Sequence, residues 1–181
     1  MNTDLSFTIR QEQASDYRQV SDLIEEAFRP LAESEHDEHL LVERLRSSDA
    51  FIPQLSLVAE ADRHIIGFVL MTLAEICSET QSTETLALAP VAVLPAFQHR
   101  GVGSALIREA HRRATARGYT SAVVLGNPDF YAQFGYRSSA TFGINLPFDV
   151  SQEYCMATEL QAHALDGVCG TVRYDRAFTE K

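Results

Sequence analysis

Val91-Ala92-Val93-Leu94-Pro95-Ala96-Phe97-Gln98-His99-Arg100-Gly101-Val102-Gly103-Ser104 is the stretch that decides the fold. An apolar strand runs into a short loop, the loop closes on a Gly-x-Gly pair, and a helical pattern follows at once, with Leu106, Ile107, Ala110 and Ala114 at helical spacing. The first turn of a helix leaves backbone N–H groups without intrahelical partners, and the helix dipole adds about half a positive charge there. Such a turn suits a phosphate-bearing ligand. Taken alone, Gly101-Val102-Gly103 also reads as a plain tight connection. It lacks the Lys-Ser/Thr of a nucleoside-triphosphate loop. It also lacks the three-glycine dinucleotide pattern and the early strand of that fold. Just upstream, Pro90 stands inside the strand pattern Thr85 to Leu94. Proline cannot donate to a sheet ladder, so it marks an edge, a bulge or a break in pairing. Its place just before the loop predicts that the sheet is opened there.

The charge pattern points the same way. The chain has 181 residues and a net charge of −10, which argues against broad nucleic-acid binding. From Gln98 to Arg117, however, five arginines (Arg100, Arg108, Arg112, Arg113, Arg117) face one acid, Glu109, so this segment is +4 and the remainder −14. A basic island on the helix after the Gly-x-Gly turn fits a local anion site. Arg112, Arg113 and Arg117 read better as a solvated helix face.

Outward from there the chain reads as alternating elements. Leu5 to Gln11 is a half-buried strand. Ser15 or Asp16 caps a helix to Phe28 whose apolar positions are Tyr17, Val20, Leu23, Ile24, Ala27 and Phe28, and Pro30 stops it. His36 to Arg46 forms a second helix burying Leu40, Leu41 and Leu45. Ser56–Ala61 and Ile65–Ile76 form a hairpin about Asp62-Arg63-His64. A polar loop, Cys77 to Thr83, leads to the strand with Pro90. After the helix Ser104–Arg117 comes Gly118 at its C-terminal cap. Ala122–Leu125 is a short buried strand. Asn127-Pro128-Asp129 opens a short helix, Phe130 to Phe134, which Gly135 ends. Tyr136–Leu146, Tyr154–Leu160 and Val168–Tyr174 read as strands. The length and the absence of linkers and repeats predict one mixed α/β domain over residues 1–181. No apolar run approaches a membrane span. The first residues show no secretion leader. Cys77, Cys155 and Cys169 lack metal or disulfide spacing. A cytoplasmic location is the expectation, with no membrane and no nucleic acid as partner.

Two motifs a helix and a strand apart now combine. Val91-Ala92-Val93-Leu94-Pro95 with Gln98-His99-Arg100-Gly101-Val102-Gly103 resembles the Gln/Arg-x-x-Gly-x-Gly/Ala signature of the GCN5-related N-acetyltransferases (GNAT). Asn127 followed by Tyr131-Ala132-Gln133-Phe134-Gly135-Tyr136 resembles that family's Asn and Tyr-x-x-x-Gly-aromatic. The resemblance is close over residues 85 to 145. Asn-Pro and the C-terminal Leu160–Tyr174 pattern look most like the YhbS-like branch. The sequence departs from the usual signature at His99, where Arg or Gly is common.

The resemblance implies a mixed, mostly antiparallel sheet of about seven strands, splayed at its centre and flanked by helices. It implies acetyl-coenzyme A as cosubstrate, no metal, and transfer to a primary amine by direct attack in a ternary complex; no Cys or Ser sits in a nucleophile motif. Backbone amides of Gln98, His99, Arg100, Gly101, Val102, Gly103 and Ser104 would cradle the pyrophosphate. Val91, Ala92 and Val93 would lie along the pantetheine arm, with the N–H of Val93 or its neighbour polarising the acetyl carbonyl. Asn127 would hold the pantetheine amides, and Tyr131 would protonate the departing thiolate. Tyr131 also reads as a plain core aromatic. Glu84 and Glu75 are the candidates for the base. Glu33, Glu35, Asp37, Glu38 and Glu43 form an acidic patch in the region of the first two helices, which the resemblance implies lines the acceptor side; it would favour a cationic acceptor, a small molecule or a peptide amine, or is simply a solvated face. His36-Asp37-Glu38-His39 is the one metal-like run, without support elsewhere. The alternatives are a coenzyme A-binding sensor without turnover and an acyltransferase for longer acyl groups. A homodimer is common in the family, and nothing in the sequence fixes one.

Overall fold

A computed structural model describes residues 5–180. Residues 1–4, part of the stretch read for a secretion leader, and residue 181 lie outside it. The strands are β1 (Thr8–Gln11), β2 (Phe51–Ala61), β3 (His64–Cys77), β4 (Ser82–Val93), β5 (Ser121–Leu125), β6 (Arg137–Ser138), β7 (Ile144–Asn145), β8 (Cys155–Glu159) and β9 (Gly170–Arg173). The helices are α1 (Tyr17–Phe28), α2 (Glu38–Arg46), α3 (Val102–Ala116) and α4 (Pro128–Tyr131). One sheet runs β1-β2-β3-β4-β5-β8-β6, with β9 beside β3 and β7 beside β9. The path thus holds the expected seven strands, and two short ones extend it. Among the described residues only β4–β5 and β7–β9 are parallel. Among the described residues no helix is long and apolar enough to cross a membrane.

Period-two alternation sorts the side chains of β3 and β4 to two faces. Val69 and Met71 with Leu86 and Leu88 meet Val102, Leu106, Ile107 and Ala110 of α3. Phe68, Leu70 and Ala92 meet Val20, Leu23 and Ile24 of α1 and Leu45 of α2. A third cluster, with Ala74, Ala87, Val123 and Ala157, is closed by the C-terminal segment. A buried pair ties α2 to the sheet: Arg46 Nη2 lies 2.5 Å from Glu12 Oε1, and Ser56 Oγ donates to Glu12 Oε2 at 2.7 Å.

The centre of the sheet is opened as Pro90 predicts. Val69 pairs with Val91 and Met71 with Leu88, so Ala89 and Pro90 together stand against Leu70 alone, a bulge on β4. On the other side of β4 only Leu86–Ala122 and Ala87–Val123 pair. Beyond them β5 leaves β4 and keeps its pairing with β8 as far as Leu125–Cys155. The closed end of this V is bolted by two buried hydroxyls, Thr85 Oγ1 and Ser121 Oγ, 2.7 Å apart.

Some expectations need correction. Tyr136–Leu146 is not one strand: β6 joins β8, a 3-10 turn covers Ser139–Phe142, and β7 joins β9. Gly143, left-handed at φ +72°, breaks the run between two different partners. Leu40 is 44% exposed rather than inward, because the face of α2 turned to the core carries Val42 and Leu45. Tyr17 is also exposed, its ring lying 4.0 Å beneath the Arg46 guanidinium.

Replacing Ser121 by Ala should strand the Thr85 hydroxyl in the core and cost about 1–3 kcal/mol. Adding Thr85→Val, which removes the stranded group, should recover part of that loss. Chemical-denaturation midpoints of both variants check this.

Candidate active site

The site assembles around the unpaired edge of β4. Leu94 N donates to Ile66 O at 3.0 Å, so Leu94 faces β3 with its backbone. In an antiparallel ladder these groups alternate sides. Ala92 therefore also points its N–H and C=O at β3, opposite Phe68. Val91 and Val93 point theirs away, into the gap that β5 has left. Of the three strand residues expected along a ligand, Val91 and Val93 offer free edges, and Ala92 is spent on the sheet.

The loop after Val93 is tied back on itself. Gln98 Nε2 donates to Val93 O at 3.0 Å, and Gln98 N reaches Pro95 O at 3.4 Å. Gln98 thus shapes the loop through both its groups, and the Val93 N–H remains as the donor facing the gap. His99 and Gly101 are left-handed, φ +59° and +83°, on either side of Arg100. Such alternation turns successive N–H groups to one side, an anion-binding concavity. His is among the non-glycine residues that tolerate this backbone best, which accounts for a histidine at this position of the motif. Gly101 caps α3, and Ala105 N makes the first helical bond to Gly101 O at 3.0 Å. The N–H groups of Val102, Gly103 and Ser104 precede that bond and face the loop. The Val102 side chain is core; its contribution is its backbone. The Arg100 guanidinium sits 5.9 Å from the Phe97 ring.

The far wall comes from the segment after β5. Asn127 Oδ1 caps α4 by accepting from Asp129 N at 2.9 Å, which leaves its Nδ2 amide to donate. A Cβ placed on Gly103 would be 3.6 Å from Val93 Cγ2 and 4.0 Å from Phe130 Cζ, so α4 stands directly across from the first turn of α3. Tyr131 follows. Its ring presses on Gly126, where a Cβ would come within 2.2 Å of Tyr131 Cε2. The ring also meets Phe130 at 5.0 Å and Tyr136 at 5.6 Å, both edge-on. Burial pushes the Tyr131 phenol up to about 12. It therefore stays protonated, a donor, at any ordinary pH.

Behind Tyr131, the buried Tyr136 hydroxyl meets His111 Nε2 of α3 at 3.0 Å. Burial lowers the His111 imidazole from 6.5 to about 4, so it is neutral. Gly126, His111 and Tyr136 were not singled out by sequence reasoning as site residues. A glycine between a buried strand and Asn-Pro is a signal that could have marked Gly126; His111 and Tyr136 are joined only by the fold.

The expected carboxylates are elsewhere. Glu84 begins β4, opposite Glu75, and at about 3.3 Å per residue it lies roughly 30 Å along the strand from Val93. Glu75 accepts from Arg173 of β9. The structure does not bring either to the bulge. On α3, Glu109 binds Arg112 and Arg113 and is held down to about 2 by Arg112 first. Arg108 stacks on Phe134 at 4.9 Å. In the acidic α1–α2 region, Asp37 faces Arg44 at 3.8 Å, His39 faces Glu25 at 3.4 Å, and Glu38 accepts from Ser34. No group of metal-ligating side chains is gathered among the described residues.

The Acetyltransferase (GNAT) domain profile matches residues 53–138. A GNAT family acetyltransferase from Brucella melitensis, solved in complex with acetyl-CoA, superposes with a TM-score of 0.79 at 30% identity, covering 96% of this chain and 99% of that one. YhbS of Escherichia coli, solved in complex with CoA, superposes with a TM-score of 0.86 at 26% identity over 99% and 96% of the chains. In sequence, the uncharacterized N-acetyltransferase YhbS of Escherichia coli K12 is 29% identical over 94% of this chain and 97% of its own. The uncharacterized N-acetyltransferase YjhQ of the same strain is 32% identical over 115 residues, 63% of this chain and 64% of YjhQ. The chain belongs to the GNAT family of acetyltransferases, in its YhbS-like branch.

The lowered imidazole of His111 has a consequence for stability. The unfolded chain takes up a proton near 6.5 and the folded chain only near 4. The stability tied to a neutral His111 is fully present above pH 6.5 and is lost as pH falls toward about 4. The loss over that window should be about 3 kcal/mol. Urea midpoints measured across pH 4 to 7 should show a steeper acid decline in the wild type than in His111→Gln.

Proposed function

We propose that this chain transfers an acetyl group from acetyl-coenzyme A to a primary amine, by direct attack within the β4–β5 opening. One observation supports the reading: the β4 edge of Val91 and Val93, which β5 leaves unpaired, leads to the turn at the start of α3, and Phe130, the neighbour of Tyr131, stands across from that turn, so a phosphate end and a thiol end would share one opening. The N–H groups around Gly101–Ser104 would hold the pyrophosphate. Val91 and the Asn127 amide would bind the pantetheine amides as an added strand does. The Val93 N–H would donate to the thioester oxygen as negative charge builds on it. A neutral amine forms the new N–C bond, the C–S bond breaks, Tyr131 gives its proton to the thiolate sulfur, the amine's surplus proton leaves to water, and the Tyr131 phenolate regains a proton from water. Glu84 is too distant to take that proton directly. That relatives were solved with CoA and with acetyl-CoA supports the choice of cosubstrate. In this reading residues 1–181 act as one domain and need no metal. The described cysteines form no disulfide, as suits the cytoplasm.

Acetyl-coenzyme A consumption across polyamines, aminoglycosides, free amino acids and lysine-bearing or N-terminal peptides tests the reaction. Turnover with one amine class is expected; tight coenzyme A binding without turnover across the panel would favour a sensor instead. With Gly101→Val and Gly103→Val together, calorimetry should find Kd for coenzyme A above about 1 mM. A Cβ on Gly103 makes only ordinary contacts, but Gly101 at φ +83° strains any side chain, so thermal unfolding verifies that the double variant is folded. Unchanged affinity would sink the phosphate-loop assignment. Tyr131→Phe should lower kcat by about 100-fold while KM for acetyl-coenzyme A stays within about threefold. Wild-type turnover would remove Tyr131 as the acid.

A further inference from the structure

Tyr136 brings a hydroxyl into the hydrophobic cluster between α3 and the sheet. There Tyr136, 2% exposed, is held between two rings. Tyr131 stands edge-on at 5.6 Å, and His111 lies tilted at 5.5 Å with its Nε2 on the Tyr136 hydroxyl. Phenylalanine and leucine would fill the space without needing partners, whereas a buried hydroxyl that loses its partner is left unsatisfied. The bond is therefore directional where packing alone asks for none. His111 sits on α3, the helix whose first turn forms the nest, and Tyr136 lies just past Tyr131 at the end of the α4 segment. Tyr131 itself is confined between Gly126 and the Tyr136 ring.

We propose that His111 and Tyr136 are positioning residues: their hydrogen bond locks the α4 segment to α3, so that the helix that fixes the phosphates also fixes the Tyr131 hydroxyl at the thiol sulfur. The inference rests on the reading of Tyr131 as the group that meets the sulfur. A neutral imidazole accepts or donates one hydrogen bond to the Tyr136 hydroxyl and adds no charge to the cleft. Losing it frees the Tyr136 ring edge and lets Tyr131 drift, while the α3 amides stay where the helix puts them.

An equilibrium measurement that needs no acceptor separates this from a general role in stability. Calorimetry at pH 8 compares coenzyme A with desulfo-coenzyme A, which lacks only the sulfur. The wild type should prefer coenzyme A by roughly three- to tenfold, the net worth of one hydrogen bond. Tyr131→Phe should bring the two ligands to within about twofold. Tyr136→Phe and His111→Phe should each do nearly the same, with affinity for desulfo-coenzyme A held within about twofold of the wild type. His111→Gln, whose amide reaches the same hydroxyl, should restore most of the preference. Tyr136→Phe keeps the volume of the ring, and thermal unfolding verifies that each variant is folded. If Tyr131→Phe loses the preference while Tyr136→Phe and His111→Phe keep it, the positioning role is overturned. If Tyr131→Phe keeps it, the reading of Tyr131 at the sulfur falls first.

Discussion

The parting of β4 from β5 is the constraint on which the rest of the structure depends. A parallel pair that stayed together would use up the backbone of Val91 and Val93 and leave no place for a ligand. Three features enforce the parting. Pro90 brings no N–H to a ladder, and with Ala89 it forms the bulge that turns the end of β4. β5 is fully occupied on its far side by β8. The buried pair of Thr85 and Ser121 fixes where the opening begins. A sheet pinned at one end and divided at the other is rigid in its closed half and offers unpaired backbone in its open half.

The ends of the opening are then furnished by the two connections that leave it. The loop from β4 winds through left-handed His99 and Gly101 and delivers the first turn of α3. The connection from β5 delivers Asn127 and Tyr131 on a helix of one turn. These two pieces face each other closely enough that Gly103 leaves room for Val93 on one side and Phe130 on the other. In the proposed reading the phosphate end would be made of backbone, which the histidine at position 99 suits by its left-handed φ. The thiol end would depend on Tyr131, whose burial keeps it protonated. A site divided in this way would take strength from the helix start and chemical direction from the phenol.

Much of this was legible in the sequence because it is local. Gly101, Gly103, Pro90, Asn127 and Tyr131 each announce a backbone demand or a chemical group within a few residues of the element they end or begin. The failures share a different cause. Glu84 was a candidate because it starts the right strand, but a twelve-residue strand carries its two ends far apart. The stretch Tyr136–Leu146 has the composition of a strand, yet its halves answer to β8 and to β9, which sequence alone does not pair. The hydrogen bonds between His111 and Tyr136 and between Thr85 and Ser121 join residues 25 and 36 positions apart. Neither histidine nor serine carries a pattern that reveals such a partner. Helix α2 shows the smaller version of the same limit, since Leu40, Leu41, Val42 and Leu45 spread over more than one face and only the packing against α1 and the sheet selects Val42 over Leu40 for the core.

A crystal structure of the wild-type protein grown with coenzyme A tests the central claim most directly. Pyrophosphate oxygens are expected on the N–H groups of the Gly101–Ser104 turn, pantetheine amides on Val91 and Asn127, and the sulfur between the Val93 N–H and the Tyr131 hydroxyl. Coenzyme A bound with its phosphates away from the start of α3, or with its sulfur outside the β4–β5 opening, would contradict it.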